Sequence, residues 1–380
     1  MNFDYNEEQR LLAESVKRFV AQDYPFEERS RIVASPEGYS PKAWATMADL
    51  GLLALPLSPD HGGFGGGAVD MMSTLEAIGE ALVIEPYLAT IGLGARLIAL
   101  AGTQDQQRAI LPSVAEGKMK LAFAQTEADA RYDLASVAVA ARKSGSSYRL
   151  DGEKKVVLHA PCADTLVVSA RTSGAAGERG GISLFLVDPR SAGVTVKAYR
   201  TLDEMRAADV AFANVEVPAA SRLGEEGNAI DAIEAAVDFA TALVCAEAVG
   251  AIRFANDTTL EYLKTRKQFG VPIGKFQVLQ HRMVDCFTNA QEARSMTLMA
   301  SLKIDDKDPI VRRKAASGAK VQIGKSGKFC GQSAVQMHGG MGVTDELAVS
   351  HYFKRLTMID LMFGNQQHHL TRYSNLAMAA

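Results

Sequence analysis

Arg266-Lys-Gln-Phe-Gly-Val-Pro-Ile-Gly-Lys-Phe-Gln277 and Gln336-Met-His-Gly-Gly-Met-Gly-Val343 are the two stretches that decide the fold. Each breaks a helical pattern with glycine or proline. Together they carry the donors that an extended dianionic ligand needs. Arg266 offers a guanidinium that can fork onto two phosphate oxygens. Gly339 and Gly340 let a backbone approach closely. Gln277 and Gln336 can donate and accept at the edges of a base or sugar. Phe269 and Phe276 add flat apolar walls. Taken singly, the same residues also read as a helix-end arginine in a surface salt bridge and a Gly-Gly helix stop.

Outward from these stretches, the chain changes texture twice. From about 227 onward it is helical. Asn228 to about Arg266 is one long pattern of roughly 58 Å at 1.5 Å per residue, and Gly274–Lys303, Val311–Gly339 and Gln366–Met378 follow. Long helices on short loops make an antiparallel, four-helix bundle. Residues 119–225 are instead short runs rich in Val, Leu and Ile: Leu121–Gln125, Val137–Arg142, Tyr148–Leu150, Lys155–Leu158, Thr165–Ser169, Ile182–Val187, Val194–Ala198 and Val210–Val215. Gly, Asp and Ser turns between them indicate a β-barrel or sandwich. Residues 1–118 are helical again, with Asn6 as an N-cap and patterns at Pro41–Leu52, Val69–Leu82 and Gln104–Ala115. The glycine-dense Pro59–Ala68 lacks a preceding strand and reads as a surface loop rather than a phosphate cradle. The class is therefore α+β and multidomain: an N-terminal helical domain (1–118), a middle β domain (119–225) and a C-terminal helical bundle (226–380).

Composition excludes several functions. The 380 residues carry a net charge of −3 and no basic run, so no nucleic-acid-binding face is advertised. Cys162, Cys245, Cys286 and Cys330 form no CxxC pair, which argues against zinc and for reduced thiols in a cytoplasm. His368 and His369 share one helix end without further ligands, so no metal is expected. The acidic start contains no secretory signal, and no uncharged run long enough to span a bilayer is evident.

The RxxFG run with its later Phe276-Gln277, the QxxGGxG run, and Tyr352-Phe-Lys-Arg355 resemble the signatures of the acyl-CoA dehydrogenase family, and Ala122-Phe-Ala-Gln-Thr-Glu127 resembles its flavin-facing strand. The resemblance covers the whole chain. It implies FAD as cofactor and an acyl-CoA substrate, with a base removing the α-proton while the β-hydrogen leaves as hydride to flavin. It also implies that Arg266, Phe269, Phe276, Gln277, Gln336, Gly339 and Gly340 hold the FAD of a neighbouring subunit, in a dimer of dimers, while Phe123, Gln125 and Thr126 face the chain's own flavin. Electron-transfer flavoprotein is the implied acceptor. Within the family, Tyr262–Gly274 and the end containing Thr357–Asp360, Phe363-Gly364 and His368-His369 resemble the small subunits of two-subunit pimeloyl-CoA dehydrogenases, which act on a dicarboxylyl-CoA.

Two departures from the family pattern stand out. Val156-Val157-Leu158 replaces a Trp-Ile/Ser-Thr run whose indole and hydroxyl serve the flavin ring, and Tyr132 replaces a small serine before Asp133. Both family positions for the catalytic Glu are also without a carboxylate, being Phe363 and Ala240. Asp231, Glu234 and Asp238 recur at helical spacing as one polar stripe, read as a solvated face. Glu247 lies on the opposite, apolar side with Val244 and Ala251, so it must be paired with a partner Arg or be functional. It is the candidate base left to the chain. His338 reads as orienting its motif rather than titrating. A good trans half beside a poor cis half suggests a subunit that completes sites on a homologous large subunit. The alternatives are a self-sufficient homotetramer with Glu247 as a displaced base, and a non-catalytic homologue that binds nucleic acid. The last would want a basic C-terminal end, where His368–Ala380 has only Arg372.

Overall fold

Asn6 caps the first helix as expected. Its side chain accepts from the Gln9 amide while the Gln9 side chain accepts from the Asn6 amide, a closed capping box ahead of α1 (Glu7–Asp23). The computed structural model describes residues 6–378. After α1 come α2 (Phe26–Ala34), α3 (Pro41–Asp49), α4 (Ala68–Glu80), a π-helical stretch (Leu88–Ala95) running into α5 (Arg96–Ala101), and α6 (Gln104–Ala115). The strands are β1 (Leu121–Ala124), β2 (Ala140–Ser144), β3 (Ser147–Leu158), β4 (Thr165–Arg171), β5 (Ile182–Val187), β6 (Val194–Arg200), β7 (Arg206–Pro218) and β8 (Arg222–Leu223). Then follow α7 (Ile230–Thr265), the small strands β9 (Lys267–Gln268) and β10 (Val271–Pro272), α8 (Gln277–Lys303), α9 (Pro309–His338), α10 (Ala348–Leu361) and α11 (Gln366–Met378). The order is helices, strands, helices.

The chain divides into two units. One, Arg31–Gly66 with Ile84–Ala240, is built on a sheet ordered β6-β7-β3-β2-β4-β5-β8, with β1 pairing parallel to β4. Leu150, Leu166, Val168, Phe185, Val210 and Val215 fill its core. Two runs read separately in sequence, Tyr148–Leu150 and Lys155–Leu158, are one strand. Asp151-Gly152 between them is no turn: Gly152 at φ 132° absorbs a register shift in the β3–β7 ladder and the strand continues. A second shift lies between Lys154 and Val157, where Val156 takes φ 51° and is 46 % exposed. A β-branched residue there is strained.

The other unit comprises the residues up to Ser30, Gly67–Val83 and those from Thr241 on. Its bundle holds α10, which the sequence pattern does not show. Here α4 crosses α7 so closely that a Cβ on Gly79 would lie 1.9 Å from the Glu247 carbonyl and one on Gly250 1.8 Å from the Glu76 carbonyl. Backbone cannot yield as a side-chain tip can. Gly250→Ala should therefore cost at least the upper end of the about 1–3 kcal/mol usual for overpacking, read as a lowered urea midpoint at unchanged slope.

The polar-stripe reading of α7 fails at Asp238. Asp231 and Glu234 do form an exposed-side cluster with Arg179, with Nη2 3.0 Å from Asp231 and Nη1 2.5 Å from Glu234. Asp238, however, is buried, as is every residue from Ala236 to Ile252. An amphipathic stripe implies a solvated face only where the helix has one. Burial on all sides also explains why α7 is long and apolar enough to cross a membrane, which the sequence reading did not anticipate. Nearly all of its most apolar window is covered by protein.

Candidate functional site

The residues that the resemblance assigns to a neighbouring subunit's FAD lie on two motifs of the helical unit that the Tyr262–His338 contact brings together. Helix α7 ends at Thr265, and the Arg266 amide still donates to the Tyr262 carbonyl at 2.8 Å. The Arg266 carbonyl accepts from Ile273 at 2.9 Å, closing a two-stranded hairpin around Phe269-Gly270. Both turn residues have positive φ, 55° and 81°, the signature of a type I′ turn. Glycine takes this conformation freely and phenylalanine does not, so the hairpin accepts strain that leaves Phe269 91 % exposed. Phe276 meets it edge to face with centroids 6.0 Å apart. The exposed Arg266 guanidinium makes no hydrogen bond or ion pair among the described residues. Gln277 opens α8 and is exposed, as are Gln336, Gly339 and Gly340 at the end of α9. A Cβ on Gly339 or Gly340 would meet nothing within 4 Å, so this turn presents bare backbone to open space. Among the described residues, the two motifs therefore present an exposed guanidinium with no ion pair, an exposed aromatic ring and a bare glycine turn.

Phe123, Gln125 and Thr126, the residues expected to face the chain's own flavin, lie in the sheet unit. Phe123 is buried on β1, and Gln125 follows it, also buried. The Gln125 Nε2 donates to the Leu134 carbonyl at 2.9 Å, while its buried Oε1 has no partner among the described residues. An orphaned acceptor of this kind suits the N–H of a flavin pyrimidine edge. Thr126 is exposed, and its carbonyl accepts from Lys155 at 2.7 Å. Val156 and Leu158 supply neither an aromatic face nor a hydroxyl.

Beneath Gln125 sits Lys154, fully buried. Its Nζ donates to the Gln125 carbonyl (3.0 Å), Glu127 Oε1 (2.6 Å) and Ser169 Oγ (2.9 Å). Glu127 also accepts from the Ala138 and Val139 amides, at 2.8 and 3.1 Å. Burial pushes the Lys154 ammonium down to about 8, against the pull of Glu127 and with Arg171 adding to the fall. Below that pH the lysine is charged in both the folded and unfolded chain. As pH rises from about 8 towards its ordinary 10.5, the folded chain releases the proton first, so stability rises with pH. The stability of the wild type relative to Lys154→Met should therefore grow by about 3 kcal/mol in order of magnitude between pH 7.5 and 10.5, measured by urea unfolding at each pH. A flat difference would mean that Lys154 is not buried as a charge.

Glu247 lies in the helical unit, 3 % exposed, with both oxygens taken. Arg355 Nε donates to Oε1 at 2.6 Å and Nη2 to Oε2 at 2.8 Å. Arg355, itself 4 % exposed, also reaches the Met362 sulfur with Nη1 at 3.7 Å. Phe363 is half-buried at φ 58° in a loop pinned from below: Lys320 Nζ donates to the carbonyls of Asp360 (2.9 Å) and Gly364 (2.6 Å), and His369 Nε2 to that of Phe363 (3.2 Å). The other His369 nitrogen meets Ser317 at 3.2 Å, so both ring nitrogens are engaged. Among the described residues no three His, Cys, Asp or Glu side chains gather as a metal site would require.

Two residues that the sequence offers only inside family-like stretches, with no role of their own, prove to have specific partners. Arg355, on the buried side of α10 with Tyr352, Leu356 and Ile359, holds Glu247. Tyr262, one turn before Arg266, stacks on His338.

The helix–sheet–helix order, the exposed Arg266 end and the buried Gln125 acceptor are compatible with a flavoprotein. Family comparison agrees. The chain matches the N-terminal domain of acyl-CoA dehydrogenase over residues 6–118, the middle domain over 122–215 and the C-terminal domain over 229–375. It belongs to the acyl-CoA dehydrogenase family, and is an FAD-dependent oxidoreductase. Probable acyl-CoA dehydrogenase YngJ of Bacillus subtilis is 29% identical over 97% of both chains. The caffeyl-CoA reductase–Etf complex subunit CarC of Acetobacterium woodii is 28% identical over 96% of both. Among solved structures, the ChsE4–ChsE5 complex from Mycobacterium tuberculosis superposes with a TM-score of 0.89 at 25% identity over 100% of both chains. FAD, when bound, supplies the acceptor for the hydride lost by the acyl group. The chemistry of the residues present fits FAD unequally: in the helical unit Arg266 and the bare Gly339-Gly340 turn offer donors suited to a pyrophosphate, whereas in the sheet unit Gln125 offers an acceptor without an aromatic or hydroxyl neighbour at Val156 or Leu158.

Proposed function

We propose that this chain is the small subunit of a heteromeric acyl-CoA dehydrogenase. It contributes Arg266, Phe269, Phe276, Gln277, Gln336, Gly339 and Gly340 to FAD whose ring pocket and catalytic carboxylate belong to a homologous large subunit. The observation that carries the reading is Glu247. A base must offer a lone pair to a carbon acid, and both Glu247 oxygens are held by one buried guanidinium. Phe363 and Ala240 stand at the other two positions where the family resemblance would put the base, so none of the three candidate positions offers a free carboxylate. The substrate would be a dicarboxylyl-CoA such as pimeloyl-CoA, with electron-transfer flavoprotein as acceptor. The two-component ChsE4–ChsE5 assembly and the Etf complex containing CarC lend support by likeness.

One observation favours the alternative of a self-sufficient homotetramer with Glu247 as base: the orphaned Gln125 Oε1, a group suited to a flavin in the chain's own sheet unit. Glu247→Gln separates the two. In the assembled enzyme it should leave turnover per bound FAD within about twofold, because Glu247 takes no part in the chemistry on this reading, although the glutamine oxygen can accept only one of the two Arg355 bonds and the fold loses stability. Loss of turnover by a factor of about 100 or more, with FAD retained, would make Glu247 the base.

A further inference from the structure

The proposed FAD clamp combines two motifs far apart in sequence, and one side-chain pair joins them. The Tyr262 ring stacks on the His338 imidazole with centroids 4.3 Å apart and planes 29° from parallel. Each ring is carried by the end of the helix that leads into its own motif. Tyr262 lies in the last turn of α7, and its carbonyl receives the Arg266 amide at 2.8 Å. His338 is the last residue of α9, 3 % exposed, and Gly339 follows at φ 61°. His338 Nδ1 lies 2.8 Å from the Ala334 carbonyl, which can only accept, so this nitrogen carries the proton. The ring is thereby fixed in rotation as well as in place. Burial holds its basicity below that of an ordinary histidine, keeping it a neutral stacking partner. Gly342 closes the turn, since a Cβ there would come within 2.4 Å of the Val335 carbonyl and 3.1 Å of the His338 Cβ.

Among the described residues the Arg266 side chain makes no hydrogen bond or ion pair, and a Cβ on Gly339 or Gly340 would meet nothing within 4 Å, so the Tyr262–His338 stack is the side-chain contact seen to join the two motifs. We infer that Tyr262 and His338 are positioning residues for FAD, fixing the distance between the phosphate-binding guanidinium and the bare backbone turn. The inference rests on the reading that this clamp holds FAD. An aromatic ring at 338 is then what matters, and the imidazole's acid–base chemistry is not.

The test measures FAD dissociation by flavin fluorescence in the holoenzyme assembly, with the wild type, His338→Leu, His338→Phe, Tyr262→Leu and Arg266→Gln compared. His338→Leu and Tyr262→Leu should each weaken FAD at least tenfold. His338→Phe, which keeps the stack, should stay within threefold of the wild type, an outcome that generic damage to a buried site would not give. If His338→Leu binds FAD normally while Arg266→Gln does not, the clamp reading stands and the inference falls. The inference also falls if His338→Phe is as weak as His338→Leu. If neither His338→Leu nor Arg266→Gln changes FAD binding, the clamp reading fails and takes the inference with it. Should His338→Leu not fold, the half-buried Tyr262→Leu carries the same arms.

Discussion

Arg355→Met should destabilise the helical unit by about 3–5 kcal/mol, the usual cost of removing one partner from a buried ion pair. The guanidinium grips both Glu247 oxygens at 2.6 and 2.8 Å, and neither side chain is more than 5 % exposed. Without it, a carboxylate is left among Val244, Ala248 and Ala251, all buried. Met fills much of the arginine volume, so the loss is of charge and hydrogen bonds more than of packing. Arg355→Met combined with Glu247→Leu should recover most of the stability, because an apolar pair of similar volume avoids the desolvation cost altogether. Urea unfolding of the two variants reads the coupling directly. A cost below about 1 kcal/mol for Arg355→Met would mean that the pair is not what allows Glu247 to be buried.

Arg266→Gln should weaken FAD binding by about 100-fold while leaving stability within about 0.5 kcal/mol of the wild type. The two expectations come from one fact: the exposed guanidinium has no partner among the described residues, so the fold loses nothing when it goes. A pyrophosphate would lose a bidentate, charge-assisted contact, worth about 2–3 kcal/mol in a partly desolvated clamp. Lysine at 266 should restore only part of the affinity, since it carries the charge without the fork. FAD titration of the assembled enzyme, with thermal unfolding alongside, checks both. Unchanged affinity would remove Arg266 from the cofactor site.

Much of this architecture can be read from local sequence because its signals are local. Asn6 with Gln9, and Thr103 with Gln106, are capping boxes that mark helix starts without reference to the rest of the chain. Gln104–Ala115, Ile182–Val187 and Gln366–Met378 begin and end where periodicity alone puts them. Helix α10 is harder to see because His351 and Arg355 sit on its buried face beside Val349, Tyr352 and Leu356 and break the apolar stripe. Its polar residues are explained only by partners brought in from elsewhere, Glu247 for Arg355 and the Asp345 carbonyl for His351. Asp238 reads wrongly for the related reason that a stripe cannot report whether the far side of a helix is covered.

The candidate site divides the same way. Gly339, Gly340 and Arg266 announce themselves by type and order. That Glu247 needs a partner follows from its helical phase, but only the fold identifies Arg355. The orphaned Gln125 Oε1 and the Tyr262–His338 stack are properties of juxtaposition, and no single segment contains them.

The most direct test of the account is to express the full chain with and without its homologous partner, then measure mass in solution and visible flavin absorption per chain. The account predicts little or no FAD on the chain alone, and stoichiometric FAD with dehydrogenase activity once the large subunit is present. A homotetramer that retains one FAD per chain and turns over acyl-CoA unaided would contradict it.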